Sequence, residues 1–264
     1  MMRPNVQPAA PRQGVAVVIP ARMASMRLPD KPLAMIGDAP MIVHVMRRAL
    51  AAGFGSAGSR VIVACDDQAI VDAVTAHGGE AIMTRADHPS GSDRVHEAIE
   101  AIDPDGKIDV IVNLQGDLPE IDAAILPGLV DSLTKSGADI ATPVAPASRD
   151  EIALSQVVKA AVAFPGGVNA PGASGRVLYF SRHPIPHGSD ETTPIWHHVG
   201  IYAWRRQSLA RFVSLPPSPL EKLEKLEQLR ALEDGMVITA HVVDTAPGGI
   251  DTPEDLAAVR QRFK

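Results

Sequence analysis

The chain has 264 residues, 45% of them apolar and 21% charged, with a formal net charge of −6. That composition excludes a disordered polymer and suffices for a full core, in one large domain or one domain with a subdomain. Aromatic residues are only 3%, so the core rests on Val, Ile, Leu, Ala and Met. So few rings and an acidic balance speak against a nucleic-acid binder, which needs stacking platforms and a basic excess.

No apolar stretch approaches the ~20 residues that cross a bilayer, so no membrane association is expected. Cys65 is the single cysteine. No intrachain disulfide can form, which suits a reducing compartment. Cys65 ends the apolar run Val61–Ala64 and reads as a small strand residue rather than a nucleophile. Residues 1–13 contain Pro4, Pro8 and Pro11 and lack the apolar centre of a signal peptide. They are expected to be a disordered leader on a cytoplasmic protein whose single domain is 14–264.

In chain order, Val15–Ile19 is a continuous apolar run, as in a strand covered on both faces. Met41–Ala52 repeats apolar residues at helical spacing and stops at Gly53, a C-terminal cap. Arg60–Ala64 is the next strand, Gln68–His77 a helix, Ala81–Thr84 a short strand and Ser92–Ile102 a helix. Asp109–Leu114 is a strongly apolar strand, Ala123–Lys135 a helix, and Ile140–Val144 a strand. This order predicts an α/β fold with a Rossmann-like, doubly wound, mostly parallel sheet. Ligands in such sheets sit beyond the carboxyl ends of the strands, here just after Ile19, Ala64, Thr84 and Leu114.

From about residue 150 the pattern changes. Val157–Phe164, Arg176–Phe180 and His198–Trp204 read as strands separated by Gly/Pro-rich and Pro/His-rich segments. They predict an antiparallel extension over about 150–210, an inserted arm suited to dimerisation. Pro219–Glu233 returns to a helix, Val237–Val243 to a strand and Thr252–Phe263 to a final helix.

The segment Pro20 to Pro32 follows the first strand and carries Arg22, Arg27 and Lys31. It lacks both the three glycines of a dinucleotide-binding turn and the Gly-Lys-Ser/Thr of a P-loop. Three cations on a proline-stiffened loop at a strand's carboxyl end suit a triphosphate: Arg offers a planar fork and Lys a mobile charge. Any one of them alone would read as a solvated surface charge. Ser25 adds a hydroxyl, or merely forms a turn. Asp117, directly after the apolar strand and Gly116, is either a turn residue or a carboxylate presented to a metal in the crevice. Thr252 to Asp255 form a helix start by themselves, with Thr as cap and Pro at the first position, and leave Asp251 unexplained by capping.

The run P-A-R-x-x-S-x-R-L-P-x-K-P-L resembles the opening signature of the 3-deoxy-manno-octulosonate (KDO) cytidylyltransferases, or CMP-KDO synthetases. Later blocks resemble that family in its order: Thr84 to Gly91, Asn113 to Asp117, Tyr179 to Arg182, His198 to Tyr202, Ser218 to Glu221, Glu227 to Arg230, and Gly249 to Leu256. The resemblance implies a homodimeric enzyme that transfers CMP from CTP to KDO for lipopolysaccharide biosynthesis. It implies Mg²⁺ held by Asp117 and Asp251, and phosphates held by Arg22, Arg27 and Lys31. By the same resemblance Arg85, Ser90 and Gly91 line the cytosine pocket, while Gln115, Arg182, His198, Glu221 and Gln228 face the sugar. The Glu/Lys run around Glu221 is also what any solvated helix face would carry. His197 and His198 are adjacent on a strand and point to opposite faces, so they cannot chelate together.

The chain departs from the family pattern at Leu118, where many members carry an acid, at His197, where Arg is common, and at Met23, where Tyr is common. These positions bear on the identity of the sugar, and a sialic acid or an amino analogue of KDO is the nearest rival substrate. A non-catalytic nucleotide sensor on the same fold would not need both carboxylates beside the cationic loop. A nicotinamide oxidoreductase would need the missing glycines.

Overall fold

The computed structural model describes residues 14–24, 27–56, 58–167, 169–188 and 194–263. The expected leader, 1–13, lies outside them.

The first half follows the alternation read from the sequence. Strand β1 (Val15–Ala21) leads through a loop to a 3₁₀ turn (Lys31–Leu33), a two-residue hairpin β2 (Met35–Ile36) and β3 (Ala39–Pro40), and helix α1 (Met41–Ala51). Next come β4 (Ser59–Cys65), α2 (Gln68–Ala76), β5 (Glu80–Met83), α3 (Gly91–Ile102), β6 (Val110–Asn113), α4 (Ile125–Ser136) and β7 (Ile140–Pro146). Strands β5, β4, β1 and β6 are parallel neighbours, with Val17 of β1 opposite Val61 on one side and Val112 on the other.

The second half contains α5 (Arg149–Ile152), β8 (Lys159–Ala163), β9 (Ser174–Ser181), β10 (Trp196–His198), β11 (Tyr202–Arg205) and α6 (Arg206–Ser214). It ends with α7 (Pro219–Glu224), α8 (Gln228–Glu233), β12 (Ile238–Val242) and α9 (Pro253–Arg262). Among the described residues ten strands form one sheet in the order β10-β8-β9-β12-β7-β11-β6-β1-β4-β5. Strand β11 enters antiparallel between β6 and β7. The sheet is therefore mixed: β5, β4, β1 and β6 run parallel, β12 runs parallel to β7, and the remaining pairings are antiparallel. Strand β10 also pairs with the far end of β7, which closes β7, β12, β9, β8 and β10 into a ring. The strands of 150–210 are antiparallel, as expected, but they are hydrogen-bonded into the common sheet.

Two single elements expected from the sequence are each broken in two. The strand expected over His198–Trp204 is interrupted at Val199–Ile201, where Ile201 N–H donates back to Val199 O at 2.7 Å. The Thr142 hydroxyl lies 2.8 Å from Ile201 O and 2.9 Å from His198 Nε2, and it fixes the crossover between the two sides of β7. The helix expected over Pro219–Glu233 breaks at Lys225, which adopts φ 55°. The Arg182 guanidinium donates to Glu224 O and Lys225 O at 2.8 and 3.2 Å and so holds the break open. Both breaks are tertiary effects overriding local propensity.

Strand β1 shows why the sheet is covered on both faces. Val15, Val17 and Ile19 pack with α1, α2 and α4, and Ala16 and Val18 pack with α3 and α6. The two-residue period of a strand sends alternate side chains to opposite layers. Helix α9 sits apart on a small cluster of Leu28, Ile36, Met41, Ile250, Leu256 and Val259. No helix among the described residues is long and apolar enough to cross a membrane.

Candidate active site

The carboxyl ends of β1, β4, β5 and β6 open onto two adjoining cavities. The larger, about 590 Å³, is lined by Arg22, Ala24, Arg27, Lys31, Gln115 and Asp117, among others. The smaller, about 190 Å³, is lined by His88, Pro89, Ser90, Gly91 and Arg94. The two share Pro20, Ala21, Arg22 and Gln115 as a common wall. Both lie where a parallel sheet places its ligands.

The turn after β6 carries Asp117 because Gly116 lets it approach β1. A Cβ on Gly116 would sit 3.0 Å from Pro20 O and 3.2 Å from Ile42 Cδ1. The segment before α9 is tied to this turn by Ile250 N–H, which donates to Asp117 O at 3.0 Å. Thr252 and Asp255 form a capping box, and Asp255 also accepts from Asp251 N–H at 3.0 Å. Hydrogen bonding to these amides holds the Asp255 carboxyl below its usual range. Capping is thus complete without the Asp251 carboxylate, which turns to Lys31 and Arg27 instead.

Both aspartates meet Lys31. Its Nζ lies 2.7 Å from Asp117 Oδ2 and 3.0 Å from Asp251 Oδ1, and Arg27 Nη2 lies 3.1 Å from that same Asp251 oxygen. Lys31 is largely covered, with 15% of its side chain exposed, whereas Arg27 is 69% exposed. Two hard carboxylates directed at one cationic centre fit Mg²⁺, which takes one or two protein carboxylates and completes its shell with phosphate and water. The described residues hold no cluster of three or more His, Cys, Asp or Glu side chains arranged for a metal.

The base-side residues divide. Ser90 caps α3, accepting from Ser92 N–H and Asp93 N–H at 3.2 and 3.4 Å, and with Gly91 it lines the smaller cavity. Arg85 does not line that cavity. It lies 3.5 Å from Glu97 Oε2 and 3.6 Å from Asp87 Oδ1, in a separate depression with His88, His96 and Glu100. The acidic outer side of α3 draws it there.

The sugar-side residues also divide. Gln115 borders both cavities. Arg182 spends its guanidinium on Glu224 O, Lys225 O and Ser155 O. Glu221 completes the capping box of α7, and both its oxygens bond Arg230, at 2.6 and 2.8 Å. His198 lies inside the strand ring between Phe180 and Tyr202, and burial pushes its imidazole down to about 3. Each of these three side chains, expected at the sugar, is engaged by a protein partner in this structure. Gln228 is buried at the start of α8. Ser25 lies outside the described residues.

Three buried groups were not anticipated. Asp66, just beyond β4, bonds Arg94 of α3 at 3.0 Å and accepts from Met23 N–H at 3.1 Å. Glu227, beside Gln228, accepts from Ser92 Oγ at 2.8 Å, while its Oε2 is buried without a partner. Burial pushes the Glu227 carboxyl up. In the sequence Glu227 is hidden in a Glu/Lys run, whereas Asp66 stands at a strand's carboxyl end and could have been singled out there.

Comparison with known proteins identifies the family. A cytidylyltransferase family model matches residues 16–238. A 3-deoxy-manno-octulosonate cytidylyltransferase of Nitrobacter winogradskyi is 55% identical over 245 residues, covering 93% of this chain and 92% of its own. One from Paramagnetospirillum magneticum is 51% identical over 249 residues, covering 94% and 97%. A solved structure of CMP:2-keto-3-deoxy-manno-octonic acid synthetase complexed with CTP superposes with a TM-score of 0.84 at 39% identity, covering 95% of this chain and 98% of that one. The chain belongs to the 3-deoxy-manno-octulosonate cytidylyltransferase family.

Proposed function

We propose that this chain transfers CMP from CTP to the anomeric 2-hydroxyl of KDO, giving CMP-KDO and pyrophosphate for lipopolysaccharide assembly. The observation that carries the reading is the meeting of Asp117 and Asp251 at Lys31, whose cavity at the sheet's carboxyl edge is also lined by Arg22, Arg27 and Asp117.

Arg22, Arg27 and Lys31 hold the triphosphate and neutralise the charge that grows on the departing pyrophosphate. The sugar hydroxyl gives up its proton to solvent as its oxygen bonds to the α-phosphorus and the α–β anhydride bond breaks, with pyrophosphate leaving in line. Asp117 and Asp251 would hold Mg²⁺, which when bound supplies charge neutralisation at the α-phosphate and acidifies the attacking hydroxyl. Catalysis of this kind is mostly positioning and electrostatics. Ser90 and Gly91, with the α3 N-terminus, are read as the base side, and Ser25 as a helper on the phosphate loop. Gln115 and Gln228 are read as sugar contacts. Arg182, Glu221 and His198 are read as supports of that side, and Arg85 as an outer charge of the base side.

The parallel half is read as a doubly wound nucleotide-binding unit, and the antiparallel half as the surface for a second copy. Leu178 of β9 and Leu223 of α7, 57% and 79% exposed, give that half apolar surface for a homodimer. Pyrophosphate release from each of the four NTPs, with KDO and with a sialic acid, tests the function. Release confined to CTP with KDO is expected, and release with sialic acid alone would transfer the assignment to the rival sugar.

A further inference from the structure

We propose that Asp66 is a positioning residue of the CTP site, joining the phosphate-binding loop to the wall of the smaller cavity. This rests on the cytidylyltransferase reading given above. Asp66 Oδ1 accepts the Met23 N–H at 3.1 Å, one residue beyond Arg22. Its Oδ2 accepts from Arg94 Nη2 at 3.0 Å, and Arg94 lines the smaller cavity. Arg94 Nη1 donates to Thr84 Oγ1 at 2.6 Å, and that hydroxyl donates to Cys65 O at 3.0 Å. A continuous chain of bonds thus runs from the loop after β1, across the end of β4, to α3 and the end of β5.

Neither fold stability nor helix formation explains the pair. The Arg94 and Asp66 side chains are only 4% and 10% exposed. A buried ion pair is an expensive way to fill space, and apolar groups of the same volume commonly serve stability as well or better. Arg94 also stands near the start of α3, where the helix dipole disfavours a cation. What the pair does is geometric. It fixes the direction in which the loop leaves β1, and hence where Arg22 points, relative to the cavity beside α3. A reaction that depends on alignment is sensitive to displacements of about 1 Å, which cost on the order of 10²-fold in rate.

The test is two-substrate kinetics with thermal melting on Asp66→Asn/Arg94→Met and on Asp66→Glu. The double variant removes both charges yet keeps an acceptor for Met23. It is expected to melt near the wild-type temperature, with kcat/KM for CTP at least ~10-fold lower and KM for KDO unchanged. A double variant that folds and uses CTP within about threefold of wild type would overturn the proposal, as a merely structural pair predicts. Should the double variant not fold, Asp66→Glu decides, since it keeps the charge against Arg94 and lengthens the arm to Met23. A roughly tenfold loss in kcat/KM for CTP, without change in KM for KDO, is then expected, and wild-type kinetics would overturn the proposal. Inactivity of the wild-type protein with CTP and KDO would count against the cytidylyltransferase reading itself and is seen separately.

Discussion

The main-chain N–H of Ile250 donates to the carbonyl oxygen of Asp117 at 3.0 Å, and this bond ties the segment bearing Asp251 to the turn bearing Asp117. Ile250 is fully buried beneath α9, so the residue after it is held rigidly. The Asp251 carboxylate meets Lys31 and Arg27, at 3.0 and 3.1 Å.

The turn that carries the other carboxylate depends on a missing side chain. In Gly116→Ala the new Cβ meets the Pro20 carbonyl at 3.0 Å, and backbone cannot yield as a flexible side chain would. Destabilisation of about 1–3 kcal/mol is expected. Activity should fall further than stability, because Asp117 moves with the turn. Denaturant melts with turnover on the same preparation check this, and normal turnover would show that the turn tolerates displacement.

Arg182→Ala should lower stability by about 1–3 kcal/mol, since three carbonyls lose a charged donor. Arg182→Lys should recover little, because an ammonium cannot span the three acceptors as a planar fork does. KM for KDO distinguishes the roles: a large rise at unchanged stability would return Arg182 to the sugar site.

His198 makes stability depend on pH. Burial holds its folded pKa at about 3, against 6.5 in the unfolded chain. Protonation therefore favours the unfolded state, and stability present above pH 6.5 is lost as pH falls toward 3. The loss from this group is roughly 1 kcal/mol between pH 6.5 and 5.5. His198→Gln should flatten the pH dependence of melting by about that much. An unchanged slope would mean that the imidazole protonates inside the ring.

The parallel half was legible in the sequence because each strand and helix there carries its own periodicity and ends in its own turn. Arg22, Lys31 and Asp117 were legible for a related reason, since each lies on a loop or turn that follows a strand's carboxyl end. The breaks at Val199–Ile201 and Lys225 were not, because the Thr142 hydroxyl and the Arg182 guanidinium impose them from distant segments. Asp251 came into view only through family resemblance and the remainder left by capping. Arg94 and Glu227 were missed because a buried charge leaves no local pattern: its partner lies tens of residues away, and in the linear chain it looks solvated, whereas Asp66 follows the carboxyl end of β4 and was open to reading there.

Transfer is expected to depend on Mg²⁺ seated jointly by Asp117 and Asp251. The most direct measurement is pyrophosphate release from CTP and KDO against Mg²⁺ concentration, for the wild type, Asp117→Asn and Asp251→Asn, with melting temperatures taken alongside. Wild-type release should vanish on chelation and return with Mg²⁺. Each variant should keep its fold and lose ~100-fold or more in turnover, with a raised Mg²⁺ requirement. Near-wild-type turnover in either variant, or release that persists after chelation, would contradict the account.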